Sequence, residues 1–400
     1  MKFWREKKLF GLACCLLAGL LISMVLSFTR DELNSTMLKA GDFPGFYAPA
    51  VIIARGQSAR LYEPALQLQI ENEYWPEFFK GNYYMSVYPP YTMALLSPLG
   101  YLTPQTARHV FSLLILAAFS LSLYWLKCLC SWSGRQTFIV AMLLLALAPV
   151  FYALIGGQNT AFSMLLYAGM LYFSRVAAEK KSACFEFLTG LCAGLWLFKP
   201  QFGVFACLFV LFSFRSRMIL GSLIAGLFYY FLGSMMLGVS WPVQWLRALG
   251  RFSAENYLAN QHNQVSLMGV YEALMRLLSL PGANGLAAAG FLSVLYLAFL
   301  VHFRSRKEGG DWRRGLILFG PLLVILSPQT LFYDIGIAFV SVMLVLKPWE
   351  KSQILGLLVI MPALWALVLW REALSLPVLS VISLACLIFV WRSQSDCIKL

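Results

Sequence analysis

The sequence predicts an all-α integral membrane protein: a polytopic helical bundle of about 12 spans with a long first loop outside the bilayer. Three observations carry that expectation. Of 400 residues, 60% are hydrophobic and 12% charged, and the mean hydropathy is +0.73, far more apolar than a water-soluble domain. Apolar runs close to the roughly 20 residues that cross a bilayer recur along nearly the whole chain. The breaks between them are short and built from Arg, Lys, Gly and Pro, so residues 1–400 read as a single membrane domain.

Taken in order, the expected spans are Leu9–Phe28, His109–Leu126, Thr137–Ile155, Ala161–Ala177, Phe185–Phe198, Phe202–Phe214, Met218–Leu237, Leu286–Phe303, Gly315–Ser327, Ile335–Leu346, Ile354–Trp370 and Val378–Trp391. Lys2, Arg5, Lys7 and Lys8 before the first run have the look of a signal-peptide flank. That run is longer than a usual signal core, however, and Ser27-Phe28-Thr29-Arg30 lacks a small-residue cleavage site, so a retained span is expected. Residues 29–108 form the first outer loop with interfacial segments. Within it Pro64 opens a helix, and Leu66, Ile70 and Tyr74 recur at four-residue spacing with Gln67, Gln69, Glu71 and Glu73 between them, the pattern of an amphipathic helix in the headgroup plane or of a packing cover on the bundle.

The formal charge of +13 needs no nucleic-acid partner once it is sorted by loop. With Met1 placed in the cytoplasm, about two thirds of the Lys and Arg fall on the inner side, the bias that orients membrane proteins. The densest basic loop holds Arg304, Arg306, Lys307, Arg313 and Arg314, an expected anchor against anionic lipid. Both termini are then cytoplasmic, and the inner membrane of a bacterium is the expected location. The nine Cys fall in spans or inner segments, so no disulfide framework is expected outside.

Polar residues of a different kind collect on the outer side. Asp42 stands in Gly41-Asp42-Phe43-Pro44-Gly45-Phe46-Tyr47-Ala48, where Phe43, Phe46 and Tyr47 would limit its hydration and make it a better proton acceptor. A loop Asp is also an ordinary turn residue. Gly157-Gln158-Asn159-Thr160, Lys199-Pro200-Gln201, Asn263-Gln264 with Ser266, and Ser327-Pro328-Gln329-Thr330 with Tyr333 and Asp334 all lie on this side. Amides and hydroxyls suit a polyhydroxyl ligand, and they are ordinary turn residues as well.

Lys199 ends a span on the face poorest in cations, which suits either an anionic ligand or an interface-anchoring lysine. Arg247 and Arg251, one helical turn apart near Trp241 and Trp245, fit a phosphate or headgroup anchoring equally. Tyr83, Tyr84, Tyr88 and Tyr91 would stack on sugar rings or form an aromatic belt. His262 would serve as acid, base or donor to phosphate. Three His and no Asp-x-Asp pair in the outer loops leave no metal cluster, so neither a metal nor any other cofactor is expected.

Gly41-Asp42-Phe43 with Phe46-Tyr47-Ala48, then Gly56, Leu61-Tyr62, Tyr88-Pro89-Pro90 and Pro98, resemble the N-terminal pattern of glycosyltransferase family 87, the polyprenyl-phosphate-mannose-dependent mannosyltransferases. Gly157-Gln158-Asn159, Lys199-Pro200, Asn263-Gln264-x-Ser266 and Ser327-Pro328 extend the likeness to about Asp334. The resemblance implies the GT-C architecture and a membrane hexosyltransferase whose first outer loop carries the catalytic acid, here Asp42. It implies a polyprenyl-phosphate sugar donor and a lipid or glycan acceptor whose hydroxyl attacks the anomeric carbon with inversion. Lys199, Arg247, Arg251 and His262 are then the candidates for donor phosphate. Phe43, Tyr47, Tyr88, Gln158, Asn159, Asn263, Gln264 and Tyr333 are the candidates for sugar and acceptor.

Two other classes fit the composition. A transporter or lipid flippase would also place polar groups in a helical bundle, but it commonly shows two matching halves, and the long first outer loop has no counterpart in the second half. A noncatalytic scaffold would make Asp42 matter to stability alone.

Overall fold

The computed structural model describes residues 41–76, 85–260, 263–271, 312–346 and 379–397, together with parts of 292–299 and 361–368. Their regular elements are helices, apart from one antiparallel bridge between Gln264 and Leu331. Ahead of the bundle they are α1 (Pro44–Ala54), α2 (Pro64–Tyr74) and α3 (Pro90–Leu96). The bundle follows with α4 (Pro104–Cys130), α5 (Gly134–Ala146), α6 (Ala148–Gly156), α7 (Thr160–Lys180), α8 (Ala183–Leu195), α9 (Pro200–Phe212) and α10 (Ser216–Leu237). After it come α11 (Trp241–Asn260), α12 (Trp312–Leu326), α13 (Ile335–Val345) and α14 (Leu379–Cys397).

Local chemistry explains most of the boundaries. Pro stands at the start of α1, α2, α3, α4 and α9, where its missing N–H has no helical partner to lose. Thr103 caps α4 by accepting from the Thr106 amide, and Ser133 with Gln136 forms a capping box at α5. The expected span Thr137–Ile155 is broken: α5 and α6 meet at Leu147 with a bend of 77°. Pro149 accounts for it, because a proline cannot continue the hydrogen-bond ladder of the preceding turn.

α4, α7 and α10 are each long and apolar enough to cross a membrane, and α5 with α6 makes a fourth crossing if the bent pair is one span. Six further apolar segments are shorter, at 10–17 residues, so among the described residues length and composition support three or four of the expected crossings. Of the expected spans, Leu9–Phe28 lies outside the described residues, and Leu286–Phe303 and Ile354–Trp370 largely so. On α10, Leu223, Leu227, Phe231 and Met235 lie four residues apart and are all exposed, as are Leu113, Leu116 and Tyr124 on α4. An uncovered apolar stripe of that length belongs against lipid. The protein is therefore a membrane protein.

Inside the bundle, small residues bring helices close. A side chain at Gly190 would lie 1.8 Å from the Met218 carbonyl, and one at Gly221 would lie 2.2 Å from that of Phe187, so α8 and α10 touch backbone to backbone. α13 is buried along its whole length, the behaviour of a helix apolar on every side. Helix α2 differs from the expected amphipathic pattern. Leu66 and Ile70 are buried, but so are Gln67 and Glu71. Gln67 donates to the carbonyls of Leu61 and Ser86 and accepts from the Ser86 amide. A buried amide that satisfies three backbone groups fastens the loop, which hydrophobic periodicity does not register.

Candidate functional site

Asp42 is fixed from two sides. Its amide donates to the Gly156 carbonyl at 2.9 Å, and its Oδ2 accepts from Gln158 Nε2. Gly41 makes the approach possible: its φ is +52°, and a Cβ there would lie 2.5 Å from the Gly156 oxygen. Gly157, in the left-handed conformation with φ +70°, ends α6 and turns the chain into α7. Arg108, near the start of α4, donates to the carbonyls of Gly156 (3.2 Å) and Ile155. Asp42 itself remains partly exposed, whereas Phe43 and Tyr47 are core side chains. Phe43 packs on Phe111, and the Tyr47 hydroxyl donates to the Leu102 carbonyl at 2.7 Å.

Three consecutive residues at the entry to α7 reach three different partners. Gln158 holds Asp42, Asn159 Nδ2 donates to the Tyr88 hydroxyl at 3.1 Å, and Thr160 Oγ1 donates to Asp334 Oδ1 at 2.8 Å. The same Asp334 oxygen accepts from Lys199 Nζ at 2.7 Å, and both side chains are 3% exposed. The rings of Phe202 and Tyr333 flank the ammonium at 5.5 and 5.6 Å. Lys199 is placed by the turn Trp196–Phe198 and by Pro200, which opens α9.

Tyr88 lies within the electrostatic reach of both carboxylates. Burial, then Asp334 and Asp42, push its phenol well above the ordinary tyrosine range, with the Asn159 hydrogen bond acting in the opposite direction. Its ring packs on Phe46, and its carbonyl accepts from the Tyr62 hydroxyl at 2.9 Å. Gln264 pairs with Leu331, and the Val265 amide donates to the Thr330 carbonyl at 2.9 Å, so this segment lies beside the turn carrying Asp334. Three buried acceptors, Gln158 Oε1, Asn159 Oδ1 and Gln264 Oε1, have no partner among the described residues. Such oxygens call for hydroxyl or water donors.

The sequence model of glycosyltransferase family 87 matches residues 87–328, more than half of the chain. The chain belongs to glycosyltransferase family 87. No curated protein and no solved structure matches it. The match takes in Tyr88, Arg108, Gln158, Asn159, Lys199, Arg247, Arg251, His262, Asn263 and Gln264, while Asp42, Phe43, Tyr47, Tyr333 and Asp334 lie outside it.

In this glycosyltransferase, Asp42, Tyr88, Gln158, Asn159, Lys199 and Tyr333 are joined by the contacts above. Asn263 is partly buried next to Gln264. Arg247 and Arg251 are exposed on α11, which Trp245 ties to the Val87 carbonyl at 2.8 Å, whereas Lys199 is buried. His262 lies outside the described residues. Sequence reasoning gave no site role to Arg108, Thr160 or Asp334. An acidic residue immediately before an apolar run is itself a signal, because a buried charge demands a partner. Arg108 carried no such signal, since a basic residue at a span end reads as an anchor.

Proposed function

We propose that this membrane glycosyltransferase moves a hexose, mannose by family likeness, from a polyprenyl-phosphate donor to a hydroxyl of a lipid or glycan acceptor. Asp42 takes the proton of the acceptor hydroxyl as its oxygen bonds to the anomeric carbon, and the bond from that carbon to the phosphate oxygen breaks with inversion. The lipid phosphate leaves as an anion, with Lys199 as the cation nearest in kind to stabilise it. In this reading the reaction needs no metal. The active face is extracytoplasmic, on a bundle of about 12 spans in a bacterial inner membrane with both termini in the cytoplasm.

One observation carries the reading: residues 158–160 tie the Asp42 carboxylate and the Lys199–Asp334 pair to a single turn that also holds unpartnered amide oxygens. A polyhydroxyl ligand supplies the donors those oxygens lack, and a site of that kind rejects ligands without hydroxyls. Family membership favours transfer over transport.

The test is reconstitution of the purified protein in lipid nanodiscs with a panel of polyprenyl-phosphate hexoses and candidate lipid acceptors, with and without EDTA. Mass spectrometry reads the added sugar, and NMR of the anomeric proton reads the stereochemistry. A hexose adduct of inverted configuration that survives EDTA is the expected result. An adduct formed equally well by Asp42→Asn overturns the assignment of the base, and retention of configuration overturns the single displacement.

A further inference from the structure

We propose that Arg108 is a positioning residue for the reacting carboxylate, clamping the carbonyl end of α6 beneath Asp42 and setting a positive charge on that side of it. The clamp is visible in the hydrogen bonds. Ile155 and Gly156 stand at the end of α6, where carbonyls have no helical N–H to accept from and the helix presents its negative pole. Arg108 donates to both, and the Gly156 oxygen it holds is the one that accepts from the Asp42 amide. One carbonyl is thus shared between the guanidinium and the backbone of the carboxylate residue.

The guanidinium's charge also reaches the carboxylate. The guanidinium lies 5.5 Å over the ring of Phe43, the neighbour of Asp42, and interacts electrostatically with the Asp42 carboxylate. The turn is also shaped to admit it: a Cβ at residue 157 would lie 2.2 Å from Arg108 Nη1. Among the described residues, Asp42 also meets the neutral amide of Gln158 and the field of the Tyr88 phenol, which stays protonated. Lys199 is engaged by Asp334. Arg108 therefore supplies positive charge to Asp42 from α4, the helix whose Phe111 packs on Phe43.

The inference rests on Asp42 being the functional carboxylate, and its test reads the protonation of that carboxyl without any sugar donor. Full-length protein in lipid nanodiscs is treated with a hydrophobic carbodiimide, which adds to protonated carboxyls, over a pH series spanning the carboxylate range. Peptide mass spectrometry gives the labelling midpoint of Asp42. Arg108→Gln keeps a donor for the carbonyls but removes the charge, and should raise the midpoint by about one pH unit or more. Arg108→Lys keeps the charge and should stay close to wild type while losing one of the two carbonyl bonds. Arg108→Met removes the charge and both donors while keeping much of the apolar stem, and should raise the midpoint at least as far as Arg108→Gln.

A folded Arg108→Gln protein with the wild-type midpoint overturns the proposal, even if its melting temperature falls, because a purely structural clamp would do that much. If Arg108→Gln does not fold, an unchanged midpoint in Arg108→Met overturns it in the same way. Loss of the functional reading shows differently: the midpoint shifts as expected while the wild-type protein transfers no sugar.

Discussion

Lys199 and Asp334 are 135 residues apart in the chain and meet at 2.7 Å, each with its side chain 3% exposed. The pair joins the turn before α9 to the turn before α13, and Thr160 adds a hydrogen bond from the start of α7. Breaking a buried pair from one side leaves an uncompensated charge, which typically costs about 3–5 kcal/mol. Lys199→Met is therefore expected to destabilise the protein by that order, and Asp334→Leu likewise. The double variant Lys199→Met/Asp334→Leu should recover most of the loss, since two apolar groups replace two charges. Thermal unfolding in detergent micelles checks the cycle; a double variant no more stable than either single one would remove the pair from the stabilising framework. The folded double variant also isolates the phosphate role, because donor affinity should fall in it although stability returns.

Asp42→Asn should retain the fold and donor binding while transfer falls by roughly 10²- to 10⁴-fold, the usual loss on removing a general base. The amide has nearly the shape of the carboxylate, and Gln158 can still meet its oxygen. Gln158→Leu should have a smaller effect through the position of Asp42 alone. Single-turnover measurements with preloaded donor separate binding from chemistry. Near-wild-type turnover in Asp42→Asn would exclude this residue as the base.

The parts of this architecture that were legible in the sequence share a physical cause. Helices α4, α7 and α10 were expected because long apolar runs declare themselves by length, and the start of α2 by its proline. Asp42, Gln158, Asn159 and Lys199 stood out as polar groups in an apolar chain, and the structure does connect them into one cluster. The Asp334 partner of Lys199 did not emerge, because pairing over 135 residues is a property of the fold and not of local spacing. The bend at Leu147 was missed for a related reason. Residues 137–155 are continuously apolar, and only the position of Pro149 within that run betrays the break. The burial of Gln67 and Glu71 is not legible in the amphipathic pattern, because it depends on partners that periodicity cannot identify.

Tyr88 gives a pH dependence with a definite sign. Burial and the nearby Asp334 and Asp42 carboxylates raise its phenol above the ordinary value of 10.0, so the folded protein holds this proton to higher pH than the unfolded chain. Its contribution to stability is whole below about pH 10 and is lost as pH rises from there through the folded value. Tyr88→Phe removes the titration, and the decline of stability above pH 10 should be shallower than in wild type. At neutral pH the same variant leaves Asn159 Nδ2 without its acceptor and should be less stable by roughly 1 kcal/mol. Chemical denaturation at a series of alkaline pH values tests both statements. Parallel wild-type and Tyr88→Phe curves would show that the phenol does not titrate differently in the folded state.

The orientation of the bundle can be tested from the two ends of α7. Its 21 residues span about 32 Å, close to the thickness of the hydrocarbon core. One end carries Gln158 and Asn159. The other ends on Lys180 and Lys181, and there Arg175 donates to the Leu129 carbonyl near the end of α4. Lys127 therefore lies at the same end as Lys180, and Arg215, paired with Glu186 just after it, belongs to that group as well. This clustering of cations away from the candidate site is what the inner side of a membrane protein attracts. Exposed Cys128 and Cys184 stand at this end too, so the experiment begins from a cysteine-free background. Ser182→Cys should react with an impermeant maleimide only after the cells are opened, and Asn263→Cys should react in intact spheroplasts. Labelling of both positions from one side would mean that the Asp42 turn and the basic ends share a face. Asn263→Cys reacting only after the cells are opened would place the site on the cytoplasmic side, contrary to the proposed extracytoplasmic reaction.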